Sequence, residues 1–312
     1  MAPHQIGWFG LGSMGLGMAL NLQKHLHANN LPPLQYSNRS LEKGQPLQDA
    51  GAIPKADFES VVQSSDIIFT MISNDTVLTT LLTQALSLPS LQGKIFIDTS
   101  TIHPDTATAA AQNLLTAGAT FIAAPVFGAS PVAASGNLIF ALAGPDPAIQ
   151  TVKPYILNVM GRSIIPMGPE PRNSSLLKIC GNILVISFME VISESHVFAE
   201  KTGLGTAQLQ SFIADMFGPV LESYSERITS GAYAPPLDTP PGFAAALASK
   251  DMGHALAIAR GVGTRLPTVE VAEGRLRRAR EERGEWLDSS AVYGIAREEA
   301  GLGFWSERSR QG

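Results

Sequence analysis

Lys178 and Asn182 stand one helical turn apart, a spacing that puts an ammonium and an amide on the same helix face. The stretch that holds them, residues 171–203, is apolar almost all the way round: Leu176, Leu177, Ile179, Ile183, Leu184, Val185, Ile186, Phe188, Met189, Val191 and Ile192. This predicts one long helix, buried on every side and ended by Gly203. A lysine inside such a rod is costly unless something pairs it or uses it. A second constellation lies near the start of the chain. Gly10-Leu11-Gly12-Ser13-Met14-Gly15 falls between a strand-like QIGWF and a helix-like LGMALNLQKHL. Gly-x-Gly-x-x-Gly in that frame is the fingerprint of dinucleotide binding. Gly10 allows the tight turn, Gly12 lets the backbone approach a pyrophosphate, Gly15 lets helix and strand pack closely, and the helix N-terminus faces the anion.

The next strand, LQYS, ends in Asn38-Arg39-Ser40. An NAD site places Asp or Glu there for the ribose hydroxyls. Here an amide, a guanidinium and a hydroxyl can all donate to a 2′-phosphate. Arg39 has the planar fork that matches phosphate, so the pattern points to NADP. An ordinary surface arginine in a strand–helix turn is the plainer alternative. No CxxC or HExxH occurs, so no metal site is announced.

These groups need a scaffold, and the 312 residues can supply one. Hydrophobic residues make up 45% of the chain and charged ones 16%, enough apolar material for a sizeable core. The length fits two domains. The net charge of -5 gives no basic footprint for nucleic acid. With Cys180 the only cysteine there is no internal disulfide, and the expected compartment is reducing and cytoplasmic. No leader-like N-terminus and no clean apolar run of membrane-spanning length is expected.

Along the chain, strands at 5–9, 34–37, 66–71, 94–98 and 120–124 alternate with helices at 41–50, 61–63, 76–86 and 104–116. Such alternation predicts a doubly wound parallel α/β sheet. Further strands at 138–143 and 162–167 flank a helix at 147–159. The pattern then turns wholly helical: after the long helix come 206–217, 220–229, 243–261, 267–282 and 289–300. The predicted organisation is an N-terminal Rossmann domain, 1–170, and an all-α domain, 171–312, that begins with the long interdomain helix. The charged run RLRRAREERGE, residues 275–285, reads as a solvated helix face with i,i+4 pairs.

With these pieces in place the chain resembles the β-hydroxyacid dehydrogenases, the family of 3-hydroxyisobutyrate dehydrogenase and the glyoxylate and succinic semialdehyde reductases. Four ordered blocks carry the resemblance over almost the whole length: IGWFGLGSMGLGMALNL, Asp98-Thr99-Ser100-Thr101-Ile102, Ala124-Pro125-Val126-Phe127-Gly128-Ala129, and Lys178-Ile179-Cys180-Gly181-Asn182. Ser249-Lys250-Asp251 is similar to a late Lys-Asp pair of the family. The resemblance implies an NADP-dependent oxidoreductase acting on a small aldehyde, semialdehyde or oxo acid, or on the matching hydroxyacid. Lys178 would be the general acid in carbonyl reduction and Asn182 would orient it or the substrate. Thr101 and the Phe127-Gly128-Ala129 segment would bind substrate, with the Gly128 backbone holding a carboxylate. Lys250 would close over the cofactor or substrate. Met71 and Ile72 join Thr101 and the glycine loop in the cofactor set. The long helix would carry Lys178 and Asn182 into a cleft beside the cofactor domain.

The sequence departs from the family pattern in two blocks. Phe127 stands where the family normally has a carboxylate-binding serine, Ala129 and Val132 replace glycines, and Gly181 stands where an asparagine often precedes Asn182. Either Ser130 or Thr101 holds the carboxylate instead, or the substrate is bulkier and less polar. An NADPH-dependent imine reductase is the alternative within this architecture. An NADPH-binding regulatory protein without turnover is the alternative of another class. Cys180 reads as a small buried hydrophobe, His103 as a helix-start residue, and Met14 and Phe9 as packing. The apolar helical half predicts a homodimer.

Overall fold

The computed structural model describes residues 3–311. The chain forms two compact units that divide at Lys178/Ile179, inside the long helix.

In the first unit, β1 (Ile6–Phe9) leads into α1 (Gly15–Ala28), then β2 (Gln35–Ser37). The region read as one helix from 41 to 50 is a 3₁₀ turn followed by α2 (Gln45–Asp49); Pro46 sits in the first turn of α2, where its missing N–H costs nothing. Next come β3 (Ile53–Pro54), α3 (Phe58–Gln63), β4 (Ile67–Thr70), α4 (Asp75–Leu86), β5 (Ile95–Asp98), α5 (Pro104–Thr116) and β6 (Thr120–Ala123). The six strands form a parallel sheet in the order β3-β2-β1-β4-β5-β6. The order reverses between β2 and β4, on either side of β1, which is the switch point where open α/β sheets bind ligands. Side chains alternate across the sheet: Ile67 and Phe69 enter one core with Trp8 and Leu22, while Ile68 enters the other with Phe96 and Leu81.

The later strands do not extend that sheet. β7 (Val126–Phe127), α6 (Ser130–Ala134), β8 (Leu138–Leu142), α7 (Asp146–Ile156) and β9 (Gly161–Pro166) build a second sheet, β7-β8-β9, in which β7 and β8 are antiparallel. An antiparallel bridge from Ala123 to Ala143 ties it to the end of β6.

The long helix α8 (Pro171–Thr202) runs from the first unit into the second, and Gly203 follows it at φ +76°. The prediction that it is buried on every side is corrected. Leu184, Phe188, Val191 and Phe198 are exposed, Phe198 at 68%, and their spacing places them on one face. Cys180 is likewise exposed rather than buried. By length and composition α8 is also apolar enough to cross a membrane, with a window of mean hydropathy 1.8 of which 39% is buried. Lys178, Glu190 and Glu194 are spread widely enough along it to leave that window nearly charge-free.

The second unit continues with α9 (Thr206–Thr229), α10 (Ala245–Gly261), α11 (Pro267–Arg283) and α12 (Val292–Glu299). Gly218 (φ 76°, ψ -174°) and Pro219 break α9 where the sequence separates two helices. The charged run on α11 is more than a solvated face. It does hold the i,i+4 pairs Arg277–Glu281 and Arg278–Glu282, but Arg275 turns inward to Glu190, Glu194 and Glu299.

Two buried groups on α8 titrate in opposite senses. Burial raises the Glu190 carboxyl to about 7, against the pull of Arg275 and with Glu194 and Glu299 crowding it. His196, fully buried with Nε2 2.7 Å from Ser225 Oγ, is lowered to about 4 by burial. The raised Glu190 contributes stability that is lost as pH rises from 4.5 to about 7, and the lowered His196 contributes stability that is lost as pH falls from 6.5 to about 4. The two slopes oppose one another where the windows overlap. Urea midpoints of the wild type should therefore change little between about pH 5 and 6. Glu190→Gln should lose stability on acidification through that range and His196→Gln should gain it. Wild-type pH dependence in both variants would contradict these assignments.

Candidate active site

The glycine loop is held on three sides. Trp8 Nε1 donates to the Gly10 carbonyl at 2.9 Å, and the Leu11 N–H donates to Asn38 Oδ1 at 2.9 Å. Gly10 has φ +102°, and a Cβ there would collide with the Met71 carbonyl oxygen. A Cβ on Gly15 would collide with the Gly10 carbonyl oxygen, so strand, loop and helix meet with no room for side chains. Gly12 differs: a Cβ there meets nothing, and Gly12 and Ser13 are exposed at the top of the loop. That open backbone at the start of α1 is what an approaching pyrophosphate requires, so these residues fit a dinucleotide. Met14 is half-buried against the core below.

Asn38 serves the loop itself. While its Oδ1 accepts from Leu11, its Nδ2 donates to the Ser40 carbonyl at 2.8 Å. Its amide therefore joins the glycine loop to the turn after β2. Arg39 is exposed, and among the described residues no carboxylate pairs with it. The side chains of Asn38, Arg39 and Ser40 are thus neutral or cationic.

Beside β1, the ends of β4 and β5 are locked by a buried network. Asp98 Oδ1 accepts from Thr70 Oγ1 and from Ser100 Oγ, each at 2.8 Å. Ser100 Oγ in turn accepts from the Ile72 N–H at 2.8 Å, and Thr99 Oγ1 donates to the Thr70 carbonyl at 2.7 Å. The network fixes the backbone at Met71 and Ile72 and at half-buried Thr101, the residues expected to face cofactor and substrate. Asp98 and Thr70 are contributors that motif reading missed; the signal was the Asp that opens the Asp98-Thr99-Ser100-Thr101 block. His103 is a helix-start residue: it caps α5, its Nδ1 accepting from the Asp105 N–H at 3.2 Å.

The Lys178 ammonium lies over the ring of Phe127, 4.8 Å from its centroid. Phe127 closes β7, pairing across from Ile139 on β8. Gly128 follows at φ +131°, with Val132 and Leu138 packed where its Cβ would be. Such a cation–arene contact is worth about 1 kcal/mol at a half-buried site. The contact places the ammonium over the ring face. Ala129 caps α6, and the Ser130 hydroxyl is buried without a partner.

In the second unit, Asn182 is 3% exposed and its Nδ2 donates to Asp251 Oδ2 at 2.6 Å. Lys250 Nζ pairs with Asp251 Oδ1 at 3.1 Å. Asp251, 2% exposed, therefore links two residues that the sequence singled out separately. It orients the Asn182 amide and anchors the end of Lys250. Its signal in the sequence was the Lys-Asp dipeptide, read for its lysine alone.

Comparison with known proteins identifies the family. The profile of the NAD binding domain of 6-phosphogluconate dehydrogenase matches residues 5–168, and that of the NAD-binding domain of NADP-dependent 3-hydroxyisobutyrate dehydrogenase matches residues 173–296. An NADH-dependent oxidoreductase of Aspergillus ustus is 30% identical over 299 residues, covering 93% of this chain and 98% of the relative. The 2-hydroxy-3-oxopropionate reductase of Escherichia coli is 27% identical, covering 92% of this chain and 95% of the relative. In structure, a 3-hydroxyisobutyrate dehydrogenase from Salmonella typhimurium shares the fold with a TM-score of 0.82 at 21% identity, covering 93% of this chain and 99% of that one. The chain belongs to the β-hydroxyacid dehydrogenase family, which supports nicotinamide-dependent hydroxyacid dehydrogenase chemistry.

Proposed function

We propose that the protein is an NADP-dependent reductase of a small carbonyl compound, with Lys178 as the acid. The observation that carries this reading is the Lys178 ammonium held on the Phe127 ring, in the same unit as the open glycine loop. When bound, the reduced nicotinamide supplies the hydride that reaches the carbonyl carbon. Negative charge then gathers on the carbonyl oxygen, and Lys178 Nζ gives that oxygen a proton, so the product is an alcohol. In the reverse direction the neutral amine takes the hydroxyl proton. Positioned proton transfer of this kind accelerates a reaction roughly a hundred- to ten-thousand-fold. Asn182, fixed by Asp251 and one turn further along α8, serves as a positioning residue. Lys178→Met should therefore lose kcat by about a hundredfold or more while NADPH binding, read by fluorescence quenching, stays unchanged. Full turnover in this variant would remove the acid role.

The choice of NADP rests on the β2 end, where no carboxylate stands and Arg39 is exposed. The Aspergillus relative is named for NADH, so the position is open to direct test. Arg39→Ala should weaken NADPH by about tenfold or more, the loss of a charge-assisted contact, and leave NADH nearly unchanged. Equal losses for both would overturn the phosphate clamp.

The exposed stripe Leu184, Phe188, Val191 and Phe198 on α8, together with exposed Phe212, Met216, Phe217 and Val220 on α9, supports a homodimer. Sedimentation velocity should give a dimer for the wild type and a monomer for Phe198→Asp. A monomeric wild type would refute the assembly.

A further inference from the structure

The ring that supports Lys178 also says what kind of carbonyl can lie beside it. Between Asp105 and Asp146 the chain carries no charged side chain, so the β7–β8 segment around Phe127 is uncharged. Phe127 offers a hydrocarbon face and no donor. Behind it, Val132 and Leu138 fill the space at Gly128, and Ile139 lies opposite on β8. The Ser130 hydroxyl is enclosed within the protein, out of solvent's reach. The Lys178 ammonium lies over this surface. A substrate carboxylate set against Phe127 would lose its hydration on the ring and draw that ammonium away from the carbonyl oxygen. The acid cannot neutralise a carboxylate and protonate an alkoxide at the same time.

We infer that Phe127 makes this site selective for uncharged aldehydes and ketones whose apolar substituent lies on the ring, and against carbonyl compounds that carry an ionised carboxylate. The inference rests on the reading of Lys178 as the acid and narrows its substrate class. Hydride and proton add across the same carbonyl as before, the nicotinamide being oxidised. Phe127 takes no part in the transfer; it selects the substituent and positions the ammonium.

The test compares butanal with succinic semialdehyde, which carries a carboxylate at the far end of the same four-carbon chain. Wild type should favour butanal in kcat/KM by at least tenfold. Phe127→Ser should move that ratio at least tenfold towards succinic semialdehyde, and Phe127→Leu, hydrocarbon without a donor, should keep the wild-type preference. A second readout needs no turnover: thermal stabilisation of the NADPH-loaded protein by butyramide and by butyrate. Butyramide should stabilise wild type more than butyrate, and Phe127→Ser should narrow or reverse the difference. If wild type reduces no carbonyl, the reductase reading fails, and the ligand shifts alone decide the selectivity. Preference for succinic semialdehyde in wild type, an unchanged ratio in Phe127→Ser, stronger stabilisation by butyrate, or no shift from either ligand would overturn the inference.

Discussion

The cofactor half of this molecule depends on one steric constraint. Gly10 must lie against the Met71 carbonyl, and Gly15 against the Gly10 carbonyl, so closely that neither position can hold a Cβ. That approach brings β4, the turn after β1 and the first turn of α1 together at the reversal of strand order. Everything else at this end is attached to it. Asn38 and Trp8 hold the loop from either side, and the Asp98 network sets the neighbouring strand ends. Of the three loop glycines Gly12 is the one with open space at its Cβ position, where a phosphate needs bare backbone.

The long helix has a different logic. Four of its polar residues are committed within their own surroundings: Lys178 over Phe127, Asn182 to Asp251, Glu190 to Arg275, His196 to Ser225. These commitments explain how so apolar a helix tolerates ionisable groups. Along the helix, the N-terminal part carries the Lys178 ammonium, the middle part carries the Asn182 amide and the buried Glu190 carboxyl, and one face is left apolar and exposed.

Much of this was legible in the sequence, because the patterns involved are local. The glycine spacing, the strand–helix alternation and the change to all-helical structure each depend on residues close together in the chain. So does the break at Gly218-Pro219, which separates two helices as read. What escaped reading depends on tertiary partners. The second sheet was missed because β7 is only Val126–Phe127, and its antiparallel pairing with β8 leaves no period to detect. Complete burial of α8 was expected from composition, yet Leu184 and Phe198 face outward; composition cannot tell a core face from an association face. Asp98 and Asp251 stood in blocks that carry the family resemblance, but the side chains they orient are set by tertiary contacts that the sequence does not display. Phe127 was visible as a departure from the family pattern, but its contact with Lys178 was not.

The central claim is that Lys178 supplies the proton to the developing alkoxide. Its most direct measurement is the single-turnover rate of hydride transfer from pre-bound NADPH to an aldehyde, followed across pH in wild type and Lys178→Met. The account predicts that the wild-type rate falls as one group loses its proton, and that this titration disappears in the variant, leaving a slow and pH-independent step. The same pH profile in both proteins would show that the proton comes from elsewhere.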